Sequence, residues 1–115
     1  MAQEHFKDGT VSGEGEYAEG GEREGPWVFY FKNGRVKARG VYKAGQLDGE
    51  WIWYREGGGL LQQGAFEEGV QEGLWRRWHD TGEVMDVGSY RRGKKTGEWI
   101  GYDKSGEEIK RRTHR

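Results

Sequence analysis

Three stretches of this chain hold residue types that perform chemistry elsewhere. Gly88-Ser89-Tyr90-Arg91-Arg92-Gly93-Lys94-Lys95-Thr96 comes within one position of a phosphate-binding loop. Such a loop cradles phosphate with backbone N–H groups at a helix N-terminus, a lysine and a hydroxyl. Here the hydroxyl stands one place late and no helical periodicity follows. Gly64-Ala-Phe-Glu-Glu-Gly69 repeats the same glycine spacing with carboxylates inside, which a phosphate would avoid. Gly13-Glu14-Gly15 likewise lacks the strand-to-helix context of a dinucleotide site. His79-Asp80 pairs an imidazole with a carboxylate, but no serine or threonine stands at a spacing that would complete a nucleophilic centre. His5, His79 and His114 lie far apart in the chain, not at metal-ligand spacing. The expectation is therefore no catalytic residue, no cofactor and no metal.

The elements that position these residues repeat every 24 positions. Gly25, Gly49, Gly73 and Gly97 keep that interval, as do Trp27, Trp51, Trp75 and Trp99, and then Tyr30, Tyr54, Trp78 and Tyr102. Gly40, Gly64 and Gly88 follow in step. Repetition at this length signals an array of one supersecondary unit. The N-terminus joins the pattern 25 residues out of phase, since Val11, Gly15 and Tyr17 mirror Val36, Gly40 and Tyr42. One residue is thus inserted near Gly20-Gly21, and Ala2 falls where a tryptophan would stand. The array divides at about residues 1–24, 25–48, 49–72, 73–96 and 97–110, with a basic tail over 111–115, as one domain of 115 residues.

Bulk composition sets the kind of cohesion available. Leu, Ile, Val and Phe make up only about 16% of the chain, a level at which disorder is a fair expectation. A net charge of −1 and an aromatic content of 14% oppose it. Rings bury roughly 150–250 Å² each, so order must come from aromatic contacts. Cysteine is absent, which removes disulfides and thiolate ligands. Residues 1–25 carry seven acids against two bases, and residues 73–115 carry eleven bases against seven acids. One end is acidic and the other basic, an arrangement suited to association through complementary ends. The acidic third breaks any continuous track for nucleic acid. The first residues show neither a basic start nor an apolar core, which makes the cytoplasm the expected compartment and membrane association unexpected.

Each unit alternates like a strand and turns like a hairpin. The predicted fold is all-β, an elongated single-layer antiparallel sheet of five tandem hairpins, ten strands spanning roughly 45 Å. Asp8-Gly9 and Asn33-Gly34 suggest two-residue type I′ turns, and the connection over Gly45-Gln-Leu-Asp-Gly49 reads as a longer one. Counting outward from Asn33-Gly34 sets Phe31 opposite Val36, Phe29 opposite Ala38, Trp27 opposite Gly40 and Gly25 opposite Tyr42. The same count gives Trp51–Gly64 with Gly49–Phe66, and Trp75–Gly88 with Gly73–Tyr90. A cross-strand ring can cover the bare backbone of a glycine, so Trp27, Trp51, Trp75, Trp99, Gly40, Gly64, Gly88, Tyr42, Phe66 and Tyr90 form the expected structural ladder. Period-two counting puts Phe29, Phe31, Trp53, Arg77 and His79 on the tryptophan face. Positions that break the repeat are the candidates for binding, because the ladder does not explain them. Phe29, Trp53, Arg55, Arg77 and His79 are the expected partner contacts.

At Gly40-Val-Tyr42-Lys-Ala-Gly45-Gln-Leu-Asp-Gly49-Glu-Trp51 the pattern is Gly-x-aromatic-x-x-Gly-x-x-x-Gly-x-Trp. It resembles the MORN repeat, and more closely the variant in bacterial proteins described as YwqK-like antitoxins. The common MORN repeat often has His before the third glycine, where this chain has Glu24, Asp48, Glu72 and Thr96. The resemblance implies a binding role without catalysis, most concretely an antitoxin or immunity protein that blocks a partner toxin. A self-associating or membrane-associated MORN scaffold is the first alternative, associating through sheet edges or oppositely charged ends. A carbohydrate or cell-wall binder is the second, since tryptophan and tyrosine ladders also mark glucan-binding repeats of shorter period.

Overall fold

The computed structural model describes all 115 residues. Ten strands follow one another: β1 (Ala2–His5), β2 (Val11–Tyr17), β3 (Arg23–Tyr30), β4 (Val36–Lys43), β5 (Gln46–Tyr54), β6 (Leu60–Glu67), β7 (Val70–Trp78), β8 (Val84–Arg91), β9 (Lys94–Tyr102) and β10 (Glu108–His114). Each pairs antiparallel with its sequence neighbours in one open sheet, leaving β1 and β10 as edges. The longest dimension is 44 Å, as expected of ten strands side by side. The sequence reading of fold class and of five hairpins holds. One boundary differs. Arg111 to His114 are strand, not tail. Basic side chains stay solvated on an edge strand and cost the sheet little, and Arg111 adds ion pairs to Glu98 and Glu108.

The two kinds of turn are the reverse of the sequence expectation. At 31–35 only Gly34 has a positive φ, and Phe31 N–H donates to the Arg35 carbonyl across a five-residue connection. Asn33 does not enter the left-handed region, so a type I turn followed by a glycine bulge forms instead of type I′. Tyr30 therefore pairs with Val36, and Phe31 moves into the turn. The same wide turn recurs at 6–10, 55–59, 79–83 and 103–107. The tight two-residue turns are Ala44-Gly45, Glu68-Gly69 and Arg92-Gly93, where both residues have positive φ. Residues 46–49, read from sequence as loop, are strand. The residue inserted near Gly20-Gly21 converts the equivalent tight turn into another wide one, with Ala18 N–H donating to the Glu22 carbonyl.

Register within each hairpin matches the count from Gly25 to Phe29: Gly25 faces Tyr42, Trp27 faces Gly40 and Phe29 faces Ala38. The rings, however, lean away from their own hairpin. A Cβ on Gly40 would meet the indole of Trp51, one on Gly64 that of Trp75, and one on Gly88 that of Trp99. Trp27 covers Gly15 in the same way. Each tryptophan thus seals the junction to the preceding hairpin, not the hairpin it belongs to. Its indole N–H donates to the carbonyl just after the covered glycine: Trp27 to Glu16 at 2.9 Å, Trp51 to Val41 at 3.0 Å, Trp75 to Ala65 at 3.1 Å and Trp99 to Ser89 at 3.0 Å. All four are buried, the most open being 8% exposed. Burial on this scale contributes roughly 4–6 kcal/mol of transfer free energy per indole.

The expected reciprocal pair, a ring over Gly25, Gly49 or Gly73, is not formed. Nothing lies within 4 Å of a Cβ built on these glycines or on Gly97. They have φ between 66° and 77°, and each begins a bulge. At Gly49, Gly73 and Gly97 three residues of the odd strand stand opposite one glycine of the preceding strand, and at Gly25 two residues, Gly25 and Pro26, are inserted between the Glu16–Glu24 and Gly15–Trp27 pairs. Between Arg39 and Val41 the partner jumps from Ile52 to Asp48. The bulge carries the tryptophan across the bare glycine of the neighbouring strand.

Two substitutions separate these roles. Gly64→Ala forces a methyl group into the Trp75 ring, and the expected loss is about 2–3 kcal/mol of unfolding free energy. Gly59→Ala, with open space and no positive φ, should stay within about 0.5 kcal/mol of the parent. Urea unfolding followed by tryptophan fluorescence measures both. At the tight turn, Ala44 is held at φ 51°. Ala44→Asn keeps the N–H donated to Glu24 and suits the left-handed region, so it should raise stability by about 0.5–1 kcal/mol in the same assay.

Candidate binding face

One face of the sheet carries a continuous row of rings. Trp27, Phe29, Trp51 and Trp53 stack in succession, with centroids 5.7, 6.3 and 5.9 Å apart, and Trp53 lies 5.8 Å from Trp75. Tyr42, Phe66 and Tyr90 meet Trp51, Trp75 and Trp99 edge-on at 5.1, 5.1 and 5.2 Å. Offset and edge-to-face contacts of this kind add about 0.5–1.5 kcal/mol each beyond burial. Phe29 and Trp53, singled out from sequence as contacts, are half-buried members of this row. Phe31 is not in it, because the register break at Phe29/Tyr30 ends the two-residue alternation. The register also breaks between Arg77 and Trp78, which takes His79 out of that alternation and into the next wide turn.

Arg55 and His79 lie along the wide-turn rim. The Arg55 guanidinium donates to the Trp78 carbonyl at 2.8 Å, and His79 Nε2 donates to the Tyr102 carbonyl at 2.7 Å. Thr81 reaches the Lys104 carbonyl at 3.0 Å, and Asn33 the Glu56 carbonyl at 3.1 Å. These bonds join each turn to the one a repeat later. Asp80 pairs with Lys104 at 3.4 Å and not with His79. The structure therefore does not gather Phe29, Trp53, Arg55, Arg77 and His79 into one patch. Three lie in or beside the ring row, and two brace the turns. On the opposite rim, Glu24 and Glu72, at the position of the common repeat's histidine, accept the N–H groups of Ala44 and Arg92 at 2.8 Å each.

The ring row stops where the repeat changes. Arg77 occupies the place of Phe29 and Trp53, and Gly101 comes next in that column. Arg77 Nε and a terminal nitrogen donate to the two carboxylate oxygens of its cross-strand partner Asp86 at 3.0 and 2.5 Å. A cleft of about 200 Å³ opens between Trp75 and Trp99 beside this pair, with Gln62, Gln71 and Lys95 on its walls. A second, of about 210 Å³, lies over Gly101 among Arg77, Lys95, Lys110, Arg112 and His114. Lys95 sits 4.6 Å from the Trp99 ring centre. His114 is pushed below the usual imidazole range by desolvation first and then by Arg112, Lys95 and Lys110. The far end of the row is closed differently. Arg23 lies 5.0–5.5 Å from the rings of Trp27, Phe29 and Tyr42, and a 2.6 Å bond ties it to Glu4.

Sequence reasoning passed over Arg23 and Lys95 as site residues. The signal was present, because Arg23, Leu47, Gln71 and Lys95 form one 24-residue column. The sequence count already sets Lys110 opposite Gly101, and the structure keeps that pair, whereas Arg112 and His114 fall in the stretch read as a tail. Their register against Gly101, Trp99 and Gly97 places them beside Arg77. No three His, Asp or Glu side chains converge as a metal-binding group.

A family profile described as a MORN repeat variant matches residues 23–44. The match runs from the start of β3 through the wide turn and β4 to the tight turn, one unit of the array. No curated protein matches the chain.

The Glu4–Arg23 pair makes a pH-dependent contribution. The hydrogen bond from Arg23, aided by Tyr17 and opposed by desolvation, holds the Glu4 carboxyl below its ordinary value. A carboxyl lowered on folding stabilises above its unfolded pKa, and the contribution is lost as pH falls through the folded one. Solvent screening of this partly exposed pair limits it to about 1 kcal/mol or less. Glu4→Gln should therefore unfold more easily than the parent at neutral pH, with the difference shrinking as pH falls past the ordinary glutamate value of about 4.3 and gone only once pH lies below the lowered folded value. Thermal unfolding of both proteins across this range measures it.

Proposed function

We propose that this chain is a non-enzymatic protein-binding module of the MORN-like kind, acting as an antitoxin or immunity protein that covers a partner toxin. One observation carries the reading. The residues that join repeats are constant, whereas the columns Phe29/Trp53/Arg77/Gly101 and Arg23/Leu47/Gln71/Lys95 change from copy to copy on one face. Repeat proteins bind in this way, holding the scaffold fixed and varying a surface column. The match to a MORN repeat variant over residues 23–44 supports the class of module. The likeness of the whole array to the bacterial antitoxin variant supports the narrower role.

In this reading the rigid ring row fixes the positions of the variable side chains. A partner then meets a preorganised surface and loses less entropy on docking. The cationic clefts around Arg77 and Lys95 attract an acidic surface and speed encounter, as complementary charge does.

Co-expression with the product of the adjacent gene tests the proposal. The neighbour alone should arrest growth, and this chain should relieve the arrest and co-purify in a stable complex. A neighbour that is neither toxic nor bound would remove the antitoxin role.

A further inference from the structure

We propose that the open edge of β10, with the cationic cleft beside it, receives an extended acidic segment of a protein partner by strand addition. This rests on the reading of the chain as a protein-binding module and specifies where and how it binds. An edge strand presents alternate backbone N–H and C=O groups outward, a template for another strand. Lys110, Arg112 and His114 alternate along β10 and register against Gly101, Trp99 and Gly97. They rise on the ring face, where Arg77 and Lys95 complete the cleft over Gly101.

Three cations of this cleft are unpaired, and its one carboxylate, Asp86, is bonded to Arg77. The ion pairs here use Arg77, Lys104 and Arg111, and Lys95, Lys110 and Arg112 take part in none. An added strand with acidic residues at every second position would turn them toward these cations. Its intervening residues would face the opposite side, where Arg111 is already paired with Glu98 and Glu108.

Two other occupants fit less well. Single-stranded nucleic acid needs an exposed ring on which to stack, but Trp99 is 8% exposed and lies against Tyr90 and Lys95. A second copy would offer its acidic β1 end. There Glu4 is held by Arg23, Glu14 by Tyr30 and Glu16 by the N-terminus. The inter-repeat joint is missing as well. Arg112 stands where the bare glycine would be, and Ala2 stands where the covering tryptophan would be.

The test uses the full chain and a fluorescent peptide of alternating glutamate and threonine. The peptide should bind at about 50 mM salt and weaken steeply toward about 300 mM. Lys110→Glu/Arg112→Glu should lower affinity about tenfold or more, and the milder Lys110→Gln/Arg112→Gln pair, folded by circular dichroism, should lower it less. N-methylation of one alternate set of peptide amides should abolish binding, while the other set is tolerated, because only one set faces β10. Equal binding by both methylated peptides would mean attraction without strand pairing and would overturn the proposal. So would tighter binding of oligouridylate, or concentration-dependent self-association abolished by the same substitutions. If a cellular partner binds the Glu variant as well as the parent, this site fails while the binding-module reading stands. If the peptide binds as described but no toxin is neutralised, the site stands and the antitoxin role fails.

Discussion

An indole ring cannot lie flat on a strand whose residues all carry side chains. That constraint organises this molecule. Every junction between hairpins sets one bare glycine beneath one tryptophan, and the ring closes on the backbone at Gly15, Gly40, Gly64 and Gly88. The same indole then donates to a carbonyl one residue away, so a buried N–H is satisfied at no cost in packing. A single-layer sheet of 115 residues has no second layer to cover it. Large rings laid along the sheet, each touching the next, supply the buried area that aliphatic residues supply in thicker domains.

The other regularities follow from placing that ring. A tryptophan two residues beyond a left-handed glycine is carried by a bulge over the neighbouring strand, which explains why Gly25, Gly49, Gly73 and Gly97 recur although nothing packs against them. The tight turns lie on the rim nearest the bulges, where Gly45, Gly69 and Gly93 donate to Arg23, Leu47 and Gln71 one repeat earlier. The five wide turns inside the hairpins lie on the other rim and stack through Arg55, His79 and Thr81. Both rims tie repeat to repeat. The hairpins are therefore coupled at three levels, and side chains between the rims are presented on a fixed base.

The 24-residue period exposed the fold because each repeat asks for the same local conformation, and five agreeing copies outweigh any ambiguity in one. In-hairpin register was legible from Trp27 to Gly40 for the same reason. Three things were not. Asn33-Gly34 looks like a type I′ turn, yet a type I turn with a glycine bulge uses the same dipeptide, and residues 31–35 take that form. Ala44-Gly45 carries no asparagine or aspartate to announce a left-handed pair, so the true tight turn was hidden. The direction in which Trp51 leans was equally hidden, since Gly40 and Gly64 lie on strands either side of it. Among site residues, Arg77 stood out by breaking a column of rings. Lys95 lies in the stretch equivalent to 46–49, which reads as loop but is strand, and Arg112 meets Arg77 only through strand pairing that the misplaced tail boundary obscured.

The most direct measurement of the joint is the proton spectrum of the glycines. Aromatic ring currents shift protons that lie over a ring face strongly upfield. The account predicts that the Hα resonances of Gly15, Gly40, Gly64 and Gly88 lie far upfield of those of Gly57, Gly59 and Gly82, which nothing covers. Ordinary Hα shifts at those four positions in the folded protein would show that the rings rest elsewhere, and would contradict it.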